Sequence, residues 1–130
     1  MAAVVLDASV VIGALDATDS HYPSARAAIT ARRLAGDDLR VPASVWSEVL
    51  VGAFRQGRAS EAERQVRVFA GAPRPVDREV AVAAARLRAL HPALRLPDAL
   101  VLATAEVDDA DVLTADRRWS AYSPRVTVLG

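Results

Sequence analysis

Apolar and polar positions along this 130-residue chain follow two alternating patterns, short unbroken apolar runs and longer stretches of helical period. Val4 to Leu6 is a β-branched run with no polar face, which suits a central parallel strand buried on both sides. Asp7 ends it, and a short helix from about Ser9 to Leu15 is expected to follow. After the polar break DATDSHYP, Asp19 or Ser20 is expected to cap a helix reaching about Leu34, which GDD closes before a second strand at LRVP. Pro42 and Ala43 open a helix through Arg55 that stops at Gly57, and a further helical stretch runs from Ala59 to Gly71. PRPVD reads as a weak strand, residues 78–90 as an Ala-rich helix ended by His91 and Pro92, and PDALVLATAEV as another helix from Pro97. DVLTAD and RVTVLG are the last two expected strands.

Strands alternating with helices predict an α/β fold, a mostly parallel sheet of four to five strands with helices on both faces in three layers. The length suits one domain spanning 1–130, with no repeat, linker or low-complexity segment inside it. In such sheets ligands bind beyond the carboxyl ends of the strands, near a switch in strand order. Asp7 and Asp116 both lie at or just past the end of an expected strand, so this topology would bring them to one rim.

Composition then removes whole classes of chemistry. The chain has no cysteine, which excludes disulfides, thiolate metal sites and thiol nucleophiles together. Only His21 and His91 remain as nitrogen ligands, so a metal here is expected to be held by oxygen. Every basic residue is Arg, and without Lys there is no P-loop lysine, Schiff base or lysine general base. A formal net charge of zero supplies no global field for nucleic acid or membrane, so any RNA contact needs a local Arg patch. The apolar N-terminus lacks a basic leader and carries Asp7 in mid-run, and no segment reaches 18 uninterrupted apolar residues; a cytoplasmic protein with no membrane contact is expected.

Four carboxylates sit awkwardly in apolar surroundings. Asp7 can be the N-cap of the helix after it, with Ser9 sharing that role or holding a metal-bound water. Glu48 lies at the edge of the apolar arc of Val45, Trp46, Val49, Leu50 and Ala53, with no cation three or four residues away. Asp98 follows Pro97 in a first helical turn, where the helix dipole favours it, yet the next residues ALVLATA are apolar all round and imply a buried helix. Asp116 can be a turn residue paired with Arg117 or Arg118. Each has a structural explanation alone; four directed to one rim would repel and raise their pKa values unless a cation neutralised them, and oxygen ligands at that density select Mg²⁺ or Mn²⁺.

In VVLDASVVIGAL, VPASVWSEVLVGAFRQG, LRLPDALVLATAE and DVLTADRRW, taken in this order, the chain resembles the PIN-domain ribonucleases, specifically the VapC toxins of type II toxin–antitoxin pairs. The resemblance spans essentially the whole chain and implies a PIN-like domain. It implies that Asp7, Glu48, Asp98 and Asp116 are catalytic acids that hold Mg²⁺, or Mn²⁺ in its place. It further implies auxiliary roles for Ser9 and for Thr114, which offers a hydroxyl where a fifth carboxylate would be another choice.

The activity so implied is a metal-dependent endoribonuclease that hydrolyses RNA with an activated water. Arg117 and Arg118 are the candidate RNA contacts, while Trp46 and Trp119 read as core residues. A cognate VapB-type antitoxin is the implied partner, received by apolar helix faces such as Val45, Trp46, Val49 and Leu50 or the Ala-rich 80s, and a homodimer is implied as well. Receiver domains and haloacid-dehalogenase-like phosphatases also place Asp after a first strand but rely on a lysine, and the Gly-rich signatures of dinucleotide and P-loop sites are missing. The alternative of a different class is a non-catalytic PIN-fold module that grips a protein or RNA without cutting it.

Overall fold

The computed structural model describes residues 2–130. Its strands are β1 (Ala3–Leu6), β2 (Asp38–Arg40), β3 (Asp111–Thr114) and β4 (Val126–Val128). The helices are α1 (Ala8–Leu15), α2 (Tyr22–Leu34), α3 (Ala43–Arg55), α4 (Ala59–Ala70), α5 (Arg78–Leu90) and α6 (Leu96–Asp108), and a 3₁₀ turn spans Arg117–Ala121. All pairings are parallel in the order β2-β1-β3-β4, so the expected α/β architecture holds, at four strands. β1 and β3 are the two inner strands and carry the apolar residues with least water contact: Val4, Val5, Leu6 and Val112 are fully buried. At about 1.5–3 kcal/mol for each fully buried aliphatic side chain, this pair anchors the core.

Several expectations change in detail. PRPVD forms no strand: Arg74 makes one isolated bridge to Pro42, donating its N–H to the Val41 carbonyl and accepting from the Ala43 N–H. Pro73 and Pro75 on either side lack the N–H groups that would extend the ladder. Neither Asp19 nor Ser20 caps α2, whose N-cap is His21 without a side-chain bond; Asp19 instead accepts from the His21 N–H, turning the chain before the helix. α1 begins one residue early because Asp7 is its N-cap, Oδ1 accepting from the Ala8 N–H at 2.7 Å. Gly13 lets α1 lie close on α2, since a Cβ there would come within 3.2 Å of the His21 Cβ and 3.3 Å of the Ala25 Cβ.

The apolar arc of α3 points inward: Val45, Trp46 and Val49 are buried, leaving Val51 and Phe54 exposed. Trp119 is buried too, as a core residue should be. Among the described residues, no helix is long and apolar enough to cross a membrane.

At the end of α6, the Asp108 side chain is only 8% exposed and is bound by Arg74 Nη2 at 2.7 Å and Arg40 Nη1 at 3.0 Å. The Arg74 hydrogen bond holds this carboxyl below the usual carboxylate range. Asp108→Ala would remove the shared partner of two guanidinium groups, leaving Arg40 on Asp38 and Arg74 on Asp77, and should cost about 1–3 kcal/mol, less than stranding a buried charge. A carboxyl whose pKa falls on folding stabilises the protein above its unfolded pKa of about 4, and that contribution fades as pH drops through the folded value. Denaturant melts of wild type and variant should therefore diverge at pH 7 and converge below about pH 4.

Candidate functional site

The order β2-β1-β3-β4 makes the switch point fall between β1 and β3, because the chain leaves β1 to one side and returns to the other. Asp7 follows β1 there, its N–H donating to the Leu113 carbonyl at 3.0 Å. Asp7 is 8% exposed, and three donors hold its carboxylate. Ala8 N–H binds Oδ1 at 2.7 Å, while the Ser9 and Thr114 hydroxyls both donate to Oδ2 at 2.8 Å. Those hydroxyls accept in turn, Ser9 Oγ from the Ala115 N–H and Thr114 Oγ1 from the Asp116 N–H, both at 3.1 Å. The aspartate, the two hydroxyls and the backbone after β3 thus form one network, with Thr114 fully buried.

α6 runs back to the start of β3, so its first turn, with Asp98, lies at the same rim. α3 leaves that rim after β2 and carries Glu48 in its second turn. Burial pushes the Asp7 carboxyl up, against its three donors, and the Asp98 charge adds to the rise. Glu48 is exposed on its outer side; partial desolvation raises it first, then the charges of Asp7 and Asp98. Asp7, Glu48 and Asp98 thus share one electrostatic neighbourhood.

Asp116 is at the rim but differently engaged. Arg118 grips it with two arms, Nε to Oδ1 at 3.0 Å and Nη2 to Oδ2 at 2.7 Å, and its backbone N–H also donates to Oδ1. That pairing holds the Asp116 carboxyl below the usual range. Arg117 opens the same 3₁₀ turn and is exposed. A cation not singled out from the sequence, Arg95, stands just before α6 with its Nε 3.6 Å from Asp98 Oδ2. Its charge also opposes the rise at Glu48 and lowers Asp116. The three-residue spacing to Asp98 was the available signal, because neighbours at that spacing meet on one helix face.

The rim lies between two depressions. One of about 130 Å³ is lined by Ile12, Leu15, Glu48, Val49, Gly52 and Ala53 among others. The other, about 80 Å³, is lined by Ala93, Leu94, Arg95, Asp98, Arg118, Trp119 and Tyr122. A larger one of about 250 Å³ between α2 and α4, with Arg26, Arg33 and Phe69, holds no carboxylate.

For a divalent ion, the donor chemistry fits: oxygen ligands only, with the Asp7 and Glu48 carboxyls raised by desolvation and by neighbouring carboxylates. One helical turn before Glu48, the Ser44 Oγ is buried without a hydrogen-bond partner. Such an orphan costs about 1–3 kcal/mol. In the conformation seen, no three His, Asp or Glu side chains among the described residues are gathered closely enough to hold one ion. The carboxylates would have to draw together, and Asp116 would have to part from Arg118.

An acidic rim at the switch point of a parallel sheet, with helices on both faces, defines the class of site, and the PIN domain family model matches residues 4–123. The chain belongs to the PIN domain family. Its fold is similar to that of a toxin–antitoxin complex from Klebsiella pneumoniae, with a TM-score of 0.79 and 23% identity over 96% of each chain. VapBC2 from Rickettsia felis, bound to a DNA fragment from its promoter, aligns with a TM-score of 0.78 at 12% identity, over 98% of this chain and 99% of that one. Mycobacterium tuberculosis VapC20, described as a sarcin-ricin loop cleaving toxin, gives a TM-score of 0.68 at 16% identity, covering 91% of this chain and 93% of that one. At these identities the likeness is one of fold. No curated protein matches the chain.

A raised pKa carries a testable cost. The folded protein keeps the Asp7 proton to higher pH than the unfolded chain, so stability falls as pH climbs from about 4 through the folded value. Asp7→Asn removes that penalty while keeping a side-chain acceptor for the Ala8 N–H, and the two hydroxyls can turn to accept from the amide. Its Tm should exceed that of wild type at pH 7, with the gap narrowing toward pH 4. A variant melting below wild type at pH 7 would show that the three donors require the anion.

Proposed function

We propose that this chain is a metal-dependent endoribonuclease, the toxin of a toxin–antitoxin pair. The observation that carries the reading is the meeting of Asp7, Glu48 and Asp98 in one electrostatic neighbourhood at the switch point of a PIN sheet. Membership of the family supports a nuclease, and the toxins among its structural neighbours support the biological role.

Asp7, Asp98 and Asp116 are the residues that would hold Mg²⁺, or Mn²⁺, with Glu48 holding a second ion or orienting the attacking water. A divalent ion there would neutralise phosphate charge and make a water more acidic. The chain itself does the positioning. Asp7 is held in one orientation by the Ala8 N–H and the Ser9 and Thr114 hydroxyls, so it need not be ordered when substrate arrives. Glu48, exposed and raised, is placed to accept a proton from water or to turn that water toward the phosphodiester. Ser9 and Thr114 act through Asp7, and Arg118 through Asp116.

The groove beside Glu48 is the surface we assign to a VapB-type antitoxin. Ile12 is the exposed apolar residue there, with Leu15 and Val49 in the wall; of the residues expected to receive the antitoxin, Val49 borders this groove while Val45 and Trp46 are buried in the core. A homodimer would need a second surface, and α5 leaves Val82 and Leu90 exposed. An intracellular setting follows from an RNA target.

The test is cleavage of total bacterial RNA by the purified protein with Mg²⁺ or Mn²⁺, with EDTA, and with Asp7→Asn. Discrete fragments are expected from wild type, with EDTA abolishing them and Asp7→Asn or Asp98→Asn reducing the rate at least about 100-fold, as loss of a charge-stabilising group commonly does. Wild-type cleavage by a folded Asp7→Asn protein would overturn the assignment. Absence of cleavage by wild type with either metal would favour the module that binds without cutting.

A further inference from the structure

The rim presents a polyanion with an electrostatic obstacle. Asp7, Glu48, Asp98 and Asp116 concentrate negative charge there, and the chain's net charge of zero offers no general attraction to offset it. Positive charge has to come from side chains at the rim itself, and Arg95 and Arg118 are the two that pair with its carboxylates, whereas Arg58, beside Glu48, is paired with Glu61. They line the same 80 Å³ depression, together with Asp98, Leu94, Trp119 and Tyr122.

We propose that Arg95 and Arg118 together grip a backbone phosphate of the RNA strand at this depression, beside the carboxylates. The proposal rests on RNA being the ligand of the rim. Three observations carry it. Both guanidinium groups are free to reorient, with side chains 75% and 81% exposed, and exposed ion pairs of this kind add little to stability, so folding does not require them where they are. Each is borrowed from a rim carboxylate, Arg95 from Asp98 at 3.6 Å and Arg118 from Asp116 at 2.7 Å. Finally, the planar fork that Arg118 now presents to two carboxylate oxygens matches two phosphate oxygens equally well.

Arg118 is therefore shared. While it holds Asp116 it shields that carboxylate, and when it turns to a phosphate it leaves Asp116 free. Arg117 neither lines the depression nor pairs with a rim carboxylate, so of the two neighbouring arginines Arg118 is the one the site uses.

The experiment is binding of labelled single-stranded RNA oligonucleotides, one uridine-rich and one adenine-rich, by fluorescence anisotropy in EDTA across a range of salt. Each phosphate contact contributes about 0.7 to the slope of log affinity against log salt on a single strand. Arg95→Gln should lower the slope by about 0.7, which is about fivefold in affinity at 0.1 M relative to 1 M salt, and equally for both sequences. Arg118→Gln should do the same in an Asp116→Asn background, where the guanidinium is released, and less in the wild-type background. Arg33→Gln, in the last turn of α2 where the chain enters the start of β2, is the control and should leave the slope unchanged. Melting curves verify that the variants fold.

An Arg95→Gln slope equal to that of wild type, together with an Asp116→Asn/Arg118→Gln slope equal to that of Asp116→Asn, would overturn the proposal. So would loss of affinity for poly-glutamate with an unchanged RNA slope, which would give the pair to an acidic protein. Cleavage in Mg²⁺ is read separately: unchanged slopes with cleavage intact remove the grip alone, whereas changed slopes without cleavage keep the grip and remove the nuclease reading.

Discussion

The Asp7 carboxylate must be bound by donors, because it stands at the end of the innermost strand where water barely reaches. An ionised group in that position is tolerated only if the surrounding chain replaces its hydration. α1 supplies a backbone N–H by starting immediately after it, Ser9 supplies a hydroxyl from the same turn, and Thr114 supplies another from the neighbouring strand. The last of these requires β1 and β3 to be adjacent and in their observed register, Leu6 opposite Leu113. Strand pairing, helix start and acidic rim are thus one arrangement.

Two buried carboxylates show what distinguishes a structural charge from a chemical one. Asp108, at one end of α6, is nearly enclosed and is matched by two arginines, so its pKa falls and its charge supports the fold. Asp7 is more deeply enclosed and its donors are neutral, so desolvation outweighs them, Asp98 adds a like charge, its pKa rises and its charge opposes the fold. Stability is set aside at that point to keep negative charge uncompensated, which is a common property of functional sites. Asp116 lies between these extremes, paired but with an exposed arginine that can leave.

Much of this was legible in one dimension. A β-branched run stopped by Asp7, an Ala-rich amphipathic helix over 78–90 and a buried helix beginning beside Asp98 follow from period and composition, and all appear in place. Errors arose where local signals competed. PRPVD has strand-like residues but two prolines that cannot donate to a ladder, and DATDSHYP offers two good capping residues, neither of which caps α2, Asp19 instead turning the chain before it. The arc of Val45, Trp46 and Val49 is apolar in the sequence, but an apolar face does not by itself say whether a core or a partner covers it.

The sequence alone determined the alternation of strands and helices, the restriction to oxygen ligands and the four carboxylates worth watching, because periodicity and residue chemistry are local properties. Tertiary structure decided which charges meet. Glu48 and Asp98 lie 50 positions apart and join Asp7 only because two helices on different strands open onto one rim. The spacing of Arg95 to Asp98 is local, but that its charge also reaches Glu48 and Asp116 is not, and the grip of Arg118 on Asp116 shows which of two adjacent arginines faces the site. Electrostatic interactions depend on distance through space and on exclusion of water, neither of which is written into the order of residues.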